Sequence, residues 1–147
     1  MSLSVFVDTS VLILSEDGAQ PAQREQALTW LRLLWQSRQG RVSTQVLNDF
    51  YRLVTTRIAP PMPNGDARAE VRRYQRWNPW AIDHATVESA WSIESRFGLA
   101  YADALIVAAA KAQGCSLLLS LDLPHELQLD SVQILNPLLT GPERWIA

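Results

Sequence analysis

The chain opens with a short apolar run, Leu3–Val7, that ends at the carboxylate of Asp8 and the hydroxyls of Thr9 and Ser10. A run of this length, rich in valine and phenylalanine, predicts a buried parallel strand. The apolar residues Val11–Leu14 that follow predict a short helix. Asp8 is therefore expected at the carboxyl end of the first strand, which is where open α/β sheets bind ligands.

Apolar residues recur at helical spacing in several longer segments, and their ends carry capping signals. Pro21 fits a helix start, Gly40 a helix end, and Ser43 or Thr44 and Asp83 fit N-caps. On the helix after Asp83, Trp91 is among the residues expected to face the core. The predicted helices are 21–38, 44–57, 66–76, 83–97 and 101–110.

Short apolar segments between these helices predict further strands at 41–43, 116–121 and 132–135, and residues 77–82 predict a short strand or an extended crossing. Alternating strands and helices are typical of an α/β protein. We therefore expect a central parallel sheet of four or five strands, flanked by helices on both faces. At 147 residues the whole chain, 1–147, is expected to form a single domain.

Composition narrows the class of protein. An apolar fraction of 48% is ordinary for a soluble globular protein. No apolar stretch approaches the roughly 20 residues of a membrane span, and the amino terminus does not resemble a secretory signal. The single cysteine, Cys115, permits no internal disulfide, which favours a reducing cytoplasm.

The formal net charge of −2 gives no general indication of nucleic-acid binding. The basic residues are nevertheless unusual, because Lys111 is the one lysine among thirteen. Four of the arginines are clustered, at Arg68, Arg72, Arg73 and Arg76. Arginine suits bidentate phosphate contacts, although a solvated helix face explains the cluster equally well.

Acidic residues stand at the ends of several predicted elements. Asp8 and Asp122 each follow a strand, and Asp103 opens an otherwise apolar helix. Asp49 borders the apolar face of another helix. In a parallel sheet, strand ends and the following helix starts share one edge, so the four carboxylates can converge there. A helix-dipole role for Asp103 and a surface position for Asp49 are the structural alternatives.

Such a convergence is tolerable only if some of the carboxylates are protonated or a cation lies between them. Two carboxylates ~4 Å apart repel by about 4 kcal/mol at an effective dielectric near 20. Oxygen ligands without clustered histidine or cysteine favour Mg²⁺ or Mn²⁺ over zinc. A hydrated ion of this kind would promote phosphodiester hydrolysis by lowering the pKa of bound water. The hydroxyls of Ser10 and Ser120 could hold metal-bound water or a phosphate oxygen, or simply form turns.

Four motifs, taken in order, resemble the PIN-domain family, and in particular the VapC-type ribonuclease toxins of bacterial toxin–antitoxin pairs. They are VDTS at 7–10, STQVLNDFY at 43–51, YADALIVAAA at 101–110 and LLSLDL at 118–123. The similarity runs from Val5 to about Pro137. It implies a PIN fold and an Mg²⁺- or Mn²⁺-dependent endoribonuclease, which is a homodimer inhibited by an antitoxin. The implied acidic residues are Asp8, Asp49, Asp103 and Asp122, accompanied by Ser10 and Ser120.

The chain departs from the family pattern at two positions. The second acid is commonly glutamate and here is the shorter Asp49, which could act through water. The residue before the last acid is often polar and here is Leu121. A catalytically weak PIN-like module that binds RNA or assists assembly therefore stays open. A haloacid-dehalogenase-like phosphatase is a further alternative, but Ser10 occupies the place where that family needs a second aspartate.

Overall fold

The computed structural model describes residues 3–146, and a five-stranded sheet forms its centre. The strand order is β2-β1-β3-β5-β4. All neighbouring strands run parallel except the edge pair β4 and β5. The strands are β1 Val5–Val7, β2 Gly40–Arg41, β3 Leu117–Leu119, β4 Gln128–Leu129 and β5 Val132–Leu135. The predicted α/β class and the parallel centre of the sheet are confirmed. The two-residue strand β4 escaped prediction because so short a segment carries no periodicity.

Six α-helices flank this sheet, as the apolar periodicity predicted. They are α1 Thr9–Leu14, α2 Pro21–Ser37, α3 Thr44–Val54, α4 Asn64–Arg73, α5 His84–Phe97 and α6 Tyr101–Ala112, with 3₁₀ turns at Tyr74–Trp77 and Pro142–Arg144. Ser43 and Asp83 are N-caps, since their side chains accept hydrogen bonds from the backbone N–H groups of Val46 and Thr86. Both caps fix the start of a helix as the sequence predicted.

The prediction that Gly40 ends α2 was wrong. The helix ends at Ser37, and Arg38 takes the left-handed conformation with φ 61°. Gly40 instead begins β2, where a Cβ atom would lie 2.5 Å from the ring of Trp77. Glycine is required there for close packing. The strand expected at 41–43 is accordingly 40–41, and Ser43 serves as the cap of α3.

Both faces of the central strands are buried, which explains their continuous apolar sequence. Every residue of β1 and β3 is at most 3% exposed, and α6 buries six of its twelve residues. Trp91 was wrongly expected in the core: it is 45% exposed, because Ala90 and Ile93 form the buried side of α5. Among residues 3–146, no helix has the length and hydrophobicity needed to cross a membrane.

Candidate active site

Asp8 lies at the carboxyl end of β1, between that strand and α1. Its backbone N–H donates to the carbonyl of Leu119 at 2.9 Å, which continues the β1–β3 pairing by one residue. Its backbone is extended, and the next residue, Thr9, begins the helix. The side chain is only 5% exposed. Two buried strands therefore hold this carboxylate rigidly at the sheet edge.

Ser120 holds the Asp8 carboxylate from beneath. Its hydroxyl donates to Asp8 Oδ2 at 2.8 Å and accepts from the backbone N–H groups of Asp122 and Leu123 at 3.1 and 3.2 Å. Ser120 is fully buried, so its hydroxyl faces protein. The expectation that this hydroxyl contacts a metal-bound water or a phosphate does not agree with these contacts. Ser120 instead orients Asp8 and the turn that carries Asp122.

Ser10 lies in the first turn of α1 and binds the same turn from the other side. Its hydroxyl accepts a hydrogen bond from the backbone N–H of Leu121 at 3.1 Å. Unlike Ser120, Ser10 lines the open cleft at the sheet edge. Its hydroxyl proton therefore stays available to a group bound in that cleft.

The four predicted aspartates, Asp8, Asp49, Asp103 and Asp122, all line this one cleft, whose volume is about 530 Å³. Asp103 enters it from the first turn of α6. Asp122 lies three residues beyond β3, so it stands in the following turn and not at the strand end that the sequence predicted. The topology thus brings together residues that are more than a hundred positions apart.

Two of these acids, Asp8 and Asp103, have raised pKa values. Burial raises the pKa of Asp8 from 3.8 to about 6; the hydrogen bond from Ser120 opposes this shift, and the nearby charge of Asp122 adds to it. Burial also raises the pKa of Asp103, again with a contribution from Asp122. Perturbed carboxylates of this kind in a cleft are typical of functional sites.

Asp49 differs from the other three acids in its electrostatic environment. It lies on α3, its side chain is 39% exposed, and Arg52 stands one turn away with a nitrogen 3.6 Å from its carboxylate. The pair is solvated, so its contribution to stability is small. Arg52 also lines the cleft and places a positive charge on its rim.

Sequence reasoning missed Asp17, Gln45 and Arg52, which also line the cleft. Gln45 donates from Nε2 to the carbonyl of Ala102 at 3.0 Å and so ties α3 to the start of α6. A signal did exist for two of them, because Gln45, Asp49 and Arg52 follow one another at helical spacing on one face of α3. Asp17 lies in a loop and carried no such signal.

The donor set of the cleft suits a hard, hydrated cation. It consists of carboxylate, hydroxyl and amide oxygens, with no histidine or cysteine lining it. Within residues 3–146, no group of three or more histidine, cysteine or acidic side chains is close enough together to enclose a metal ion. An ion bound here would therefore contact at most two of these side chains directly, and Mg²⁺ is commonly held by one or two carboxylates.

Comparison with known proteins agrees with this geometry. The sequence matches the PIN domain family over residues 5–124, and the chain therefore belongs to that family. Its structure is similar to the crystal structure of the Mycobacterium tuberculosis toxin VapC20, which is described as cleaving the sarcin–ricin loop. The TM-score is 0.61 at 23% sequence identity, covering 78% of this chain and 87% of that one. No curated protein sequence matches the chain.

Proposed function

We propose that this PIN domain is a metal-dependent endoribonuclease and acts as the toxin of a toxin–antitoxin pair. The observation that carries the proposal is the convergence of Asp8, Asp103 and Asp122 in one solvent-open cleft, where burial and mutual repulsion raise the pKa values of the first two. Such an arrangement becomes favourable when a cation neutralises it. The structural similarity to a toxin described as cleaving the sarcin–ricin loop supports the choice of RNA as substrate.

Each residue has a defined part in this proposal. Asp8 and Asp103 would hold Mg²⁺ or Mn²⁺, because a strand end and a helix start are the most rigid positions in the cleft. Asp49 and Asp122 would complete the site through water molecules or orient the attacking water. When bound, the ion lowers the pKa of water and neutralises charge on the phosphate. Hydrolysis would leave 5′-phosphate and 3′-hydroxyl ends.

Positively charged and hydroxyl groups on the rim would position the RNA. Arg52 can turn from Asp49 to a phosphate oxygen, since their contact is long at 3.6 Å and solvated. The Ser10 hydroxyl can donate to a group in the cleft while its oxygen keeps the bond from Leu121. Ser120 keeps the Asp8 carboxylate oriented from below.

The proposal includes a cytoplasmic location, a homodimer and a cognate antitoxin. The buried, unpaired Cys115 is compatible with a reducing compartment. Trp91 and Tyr101 are 45% and 39% exposed, and large aromatic side chains of this kind are enriched in interface cores. They are the residues we would expect at a contact between two chains.

Cleavage of a structured RNA by the purified chain tests the nuclease proposal directly. The wild-type protein should cut in proportion to added Mg²⁺ or Mn²⁺ and stop on chelation, whereas Asp8→Asn should bind the RNA without cutting it. Asp66→Asn, an exposed change in the first turn of α4, is the matched control. RNA binding without cleavage by the wild type would indicate the non-catalytic module instead.

A growth assay tests the toxin role separately. Expression of the wild-type chain should arrest growth, and co-expression of the neighbouring open reading frame should relieve the arrest. Asp8→Asn should not arrest growth. If cleavage is observed in vitro without growth arrest, the nuclease assignment survives and the toxin role does not.

A further inference from the structure

We call the cleft lined by Asp8, Asp49, Asp103 and Asp122 the acidic cleft. A second pocket, with a volume of about 460 Å³, lies at the opposite edge of the sheet. It is built around the start of β2, where Gly40 pairs with Val5, the first residue of β1. Asp8 follows the last residue of that same strand. The second pocket is therefore separate from the candidate active site, and we name it the arginine pocket.

Three arginines and two tryptophans line the arginine pocket, together with Gly40 and Asn78, and none of the lining residues is acidic. The arginines are Arg38, Arg41 and Arg76. Within residues 3–146, none of the three has a carboxylate within ion-pair distance, whereas Arg32, Arg52, Arg73 and Arg96 each do. Three guanidinium groups around one pocket repel each other unless an anion lies between them.

The hydrogen bonds show which of these arginines have a structural role. Arg41 Nη1 donates to the carbonyl oxygens of Gly40 and Arg38 at 2.8 and 3.1 Å, which fixes its guanidinium in place. The side chains of Arg38 and Arg76 form no hydrogen bond within the described part of the chain. Arg38 also occupies a left-handed position that favours glycine, with φ 61°. Both side chains are exposed and can reach a ligand in the pocket.

The aromatic wall supplies an independent observation. The Trp35 and Trp77 rings pack 4.9 Å apart, and Trp77 is only 4% exposed. The Nε1–H of Trp77 is buried and has no acceptor among residues 3–146. Buried donors are normally paired, and leaving one unpaired is unfavourable. Trp77, which lines the pocket, thus carries a buried donor without a partner in the described part of the chain.

We propose that the arginine pocket binds the phosphate group of a nucleotide, either free or within an RNA chain. Guanidinium groups bind phosphate oxygens bidentately, and Trp35 and Trp77 line the pocket beside them. The fixed Arg41 provides a preformed contact, and Arg38 and Arg76 are free to close on the ligand. This site does not depend on the proposed nuclease activity, because it uses no residue of the acidic cleft.

Titration in EDTA tests the site without any metal-dependent reaction. The probes are AMP, adenosine, inorganic phosphate and a 5′-phosphorylated tetranucleotide RNA. The readouts are calorimetric affinity and the indole N–H resonance of Trp77, assigned by its loss in Trp77→Phe. AMP should bind and shift that resonance, and adenosine should not. Tighter binding of the tetranucleotide than of AMP would assign the site to RNA; equal binding would assign it to a free nucleotide.

The matched variants are Arg38→Gln/Arg76→Gln and the control Arg57→Gln/Arg144→Gln, which removes the same charge elsewhere. We expect the first to weaken AMP binding at least tenfold and the control to change it less than twofold. Equal weakening by both variants would show that AMP binding depends on the overall charge of the protein and not on this pocket, and would overturn the proposal. An unshifted Trp77 resonance, or displacement of AMP by a lower concentration of hexaglutamate, would also overturn it, the latter in favour of an acidic protein partner.

Discussion

The two edges of the sheet carry charges of opposite sign. One edge gathers carboxylates and the other gathers guanidinium groups. At the carboxyl edge, the acidic cleft buries Asp8 close to Asp103 and Asp122, and the one arginine lining it is held by Asp49. At the amino edge, the arginine pocket gathers three guanidinium groups without an acid. The formal net charge of −2 averages over both and reveals neither.

The difference between the edges lies in what supports the charged groups. The acidic cleft is built on rigid positions, since a strand end, a helix start and the Ser120 hydrogen bonds fix its side chains. In the arginine pocket, only Arg41 is fixed by hydrogen bonds to the backbone. Fixed groups suit chemistry, which needs preorganised geometry, while long mobile side chains suit binding. The following substitutions test this contrast, beginning with the largest expected effect.

Asp8→Asn should reduce RNA cleavage about a thousandfold or more, because it removes the most rigidly held carboxylate of the cleft. Circular dichroism should show an unchanged fold, since asparagine can still accept the Ser120 hydrogen bond. Single-turnover cleavage at saturating Mg²⁺ measures the effect. Near-wild-type cleavage by this variant would remove Asp8 from the catalytic site.

Asp103 lies near the charge of Asp122, whereas Asp49 lies beside Arg52. The variants Asp103→Asn and Asp49→Asn should show whether these two environments differ in their effect on cleavage. We expect about a hundredfold loss of cleavage for Asp103→Asn and about tenfold for Asp49→Asn, because Asp49 is more exposed and has Arg52 beside it. The Mg²⁺ concentration for half-maximal cleavage should rise more in Asp103→Asn. The reverse order of effects would mean that Arg52 does not shield Asp49 in solution.

The burial of Asp8 should make the metal-free protein sensitive to pH. Its pKa is raised from 3.8 to about 6, so the folded state binds the proton more tightly than the unfolded chain. The protonated form of Asp8 therefore stabilises the folded state. This contribution to the free energy of unfolding is complete below about pH 4 and is lost as the pH rises through about 6. A pKa difference of about 2 corresponds to about 3 kcal/mol.

Asp8→Asn removes this sensitivity and provides the measurement. In urea unfolding with EDTA, the variant should gain up to about 3 kcal/mol over the wild type at pH 8 and little at pH 4. The difference between the two proteins isolates Asp8 from all other titrating groups. A gain that is the same at both pH values would show that burial of the Asp8 charge is not its cause.

Gly40→Ala should act on the amino edge alone. The added Cβ would lie 2.5 Å from the Trp77 ring, so we expect a loss of about 1–3 kcal/mol in the free energy of unfolding. Cleavage per folded molecule should stay unchanged, because the acidic cleft lies at the other end of β1. Gly65→Ala, where a Cβ has open space, is the control and should have little effect.

Much of the fold could be predicted because local signals and tertiary packing agreed. The strand Val132–Leu135 and the caps Ser43 and Asp83 were predicted as found. The prediction failed where a distant contact decided the local structure. Gly40 is the clearest case, since its place in β2 depends on a tryptophan 37 positions along the chain.

The four arginines that are clustered in the sequence lie in different surroundings in the structure. Arg73 pairs with Glu70 and lies 4.3 Å from the centre of the Trp35 ring. Arg68 and Arg72 line a small separate pocket on α4, while Arg76 joins Arg38 and Arg41. The exposure of all four agrees with a solvated helix face, and Arg76 lies in the 3₁₀ turn that follows α4.

The α/β alternation, the resemblance to the family and the four aspartates could be read from local pattern, because Asp8 follows a strand, Asp103 lies in the first turn of a helix, and Asp49 and Asp122 lie in recognisable motifs. Only the tertiary structure decided that Ser120 lies beneath Asp8, that Arg52 pairs with Asp49, and that three arginines share a pocket. The physical reason is that burial and charge pairing depend on contacts between residues far apart in the chain, and hydrophobic periodicity does not encode them.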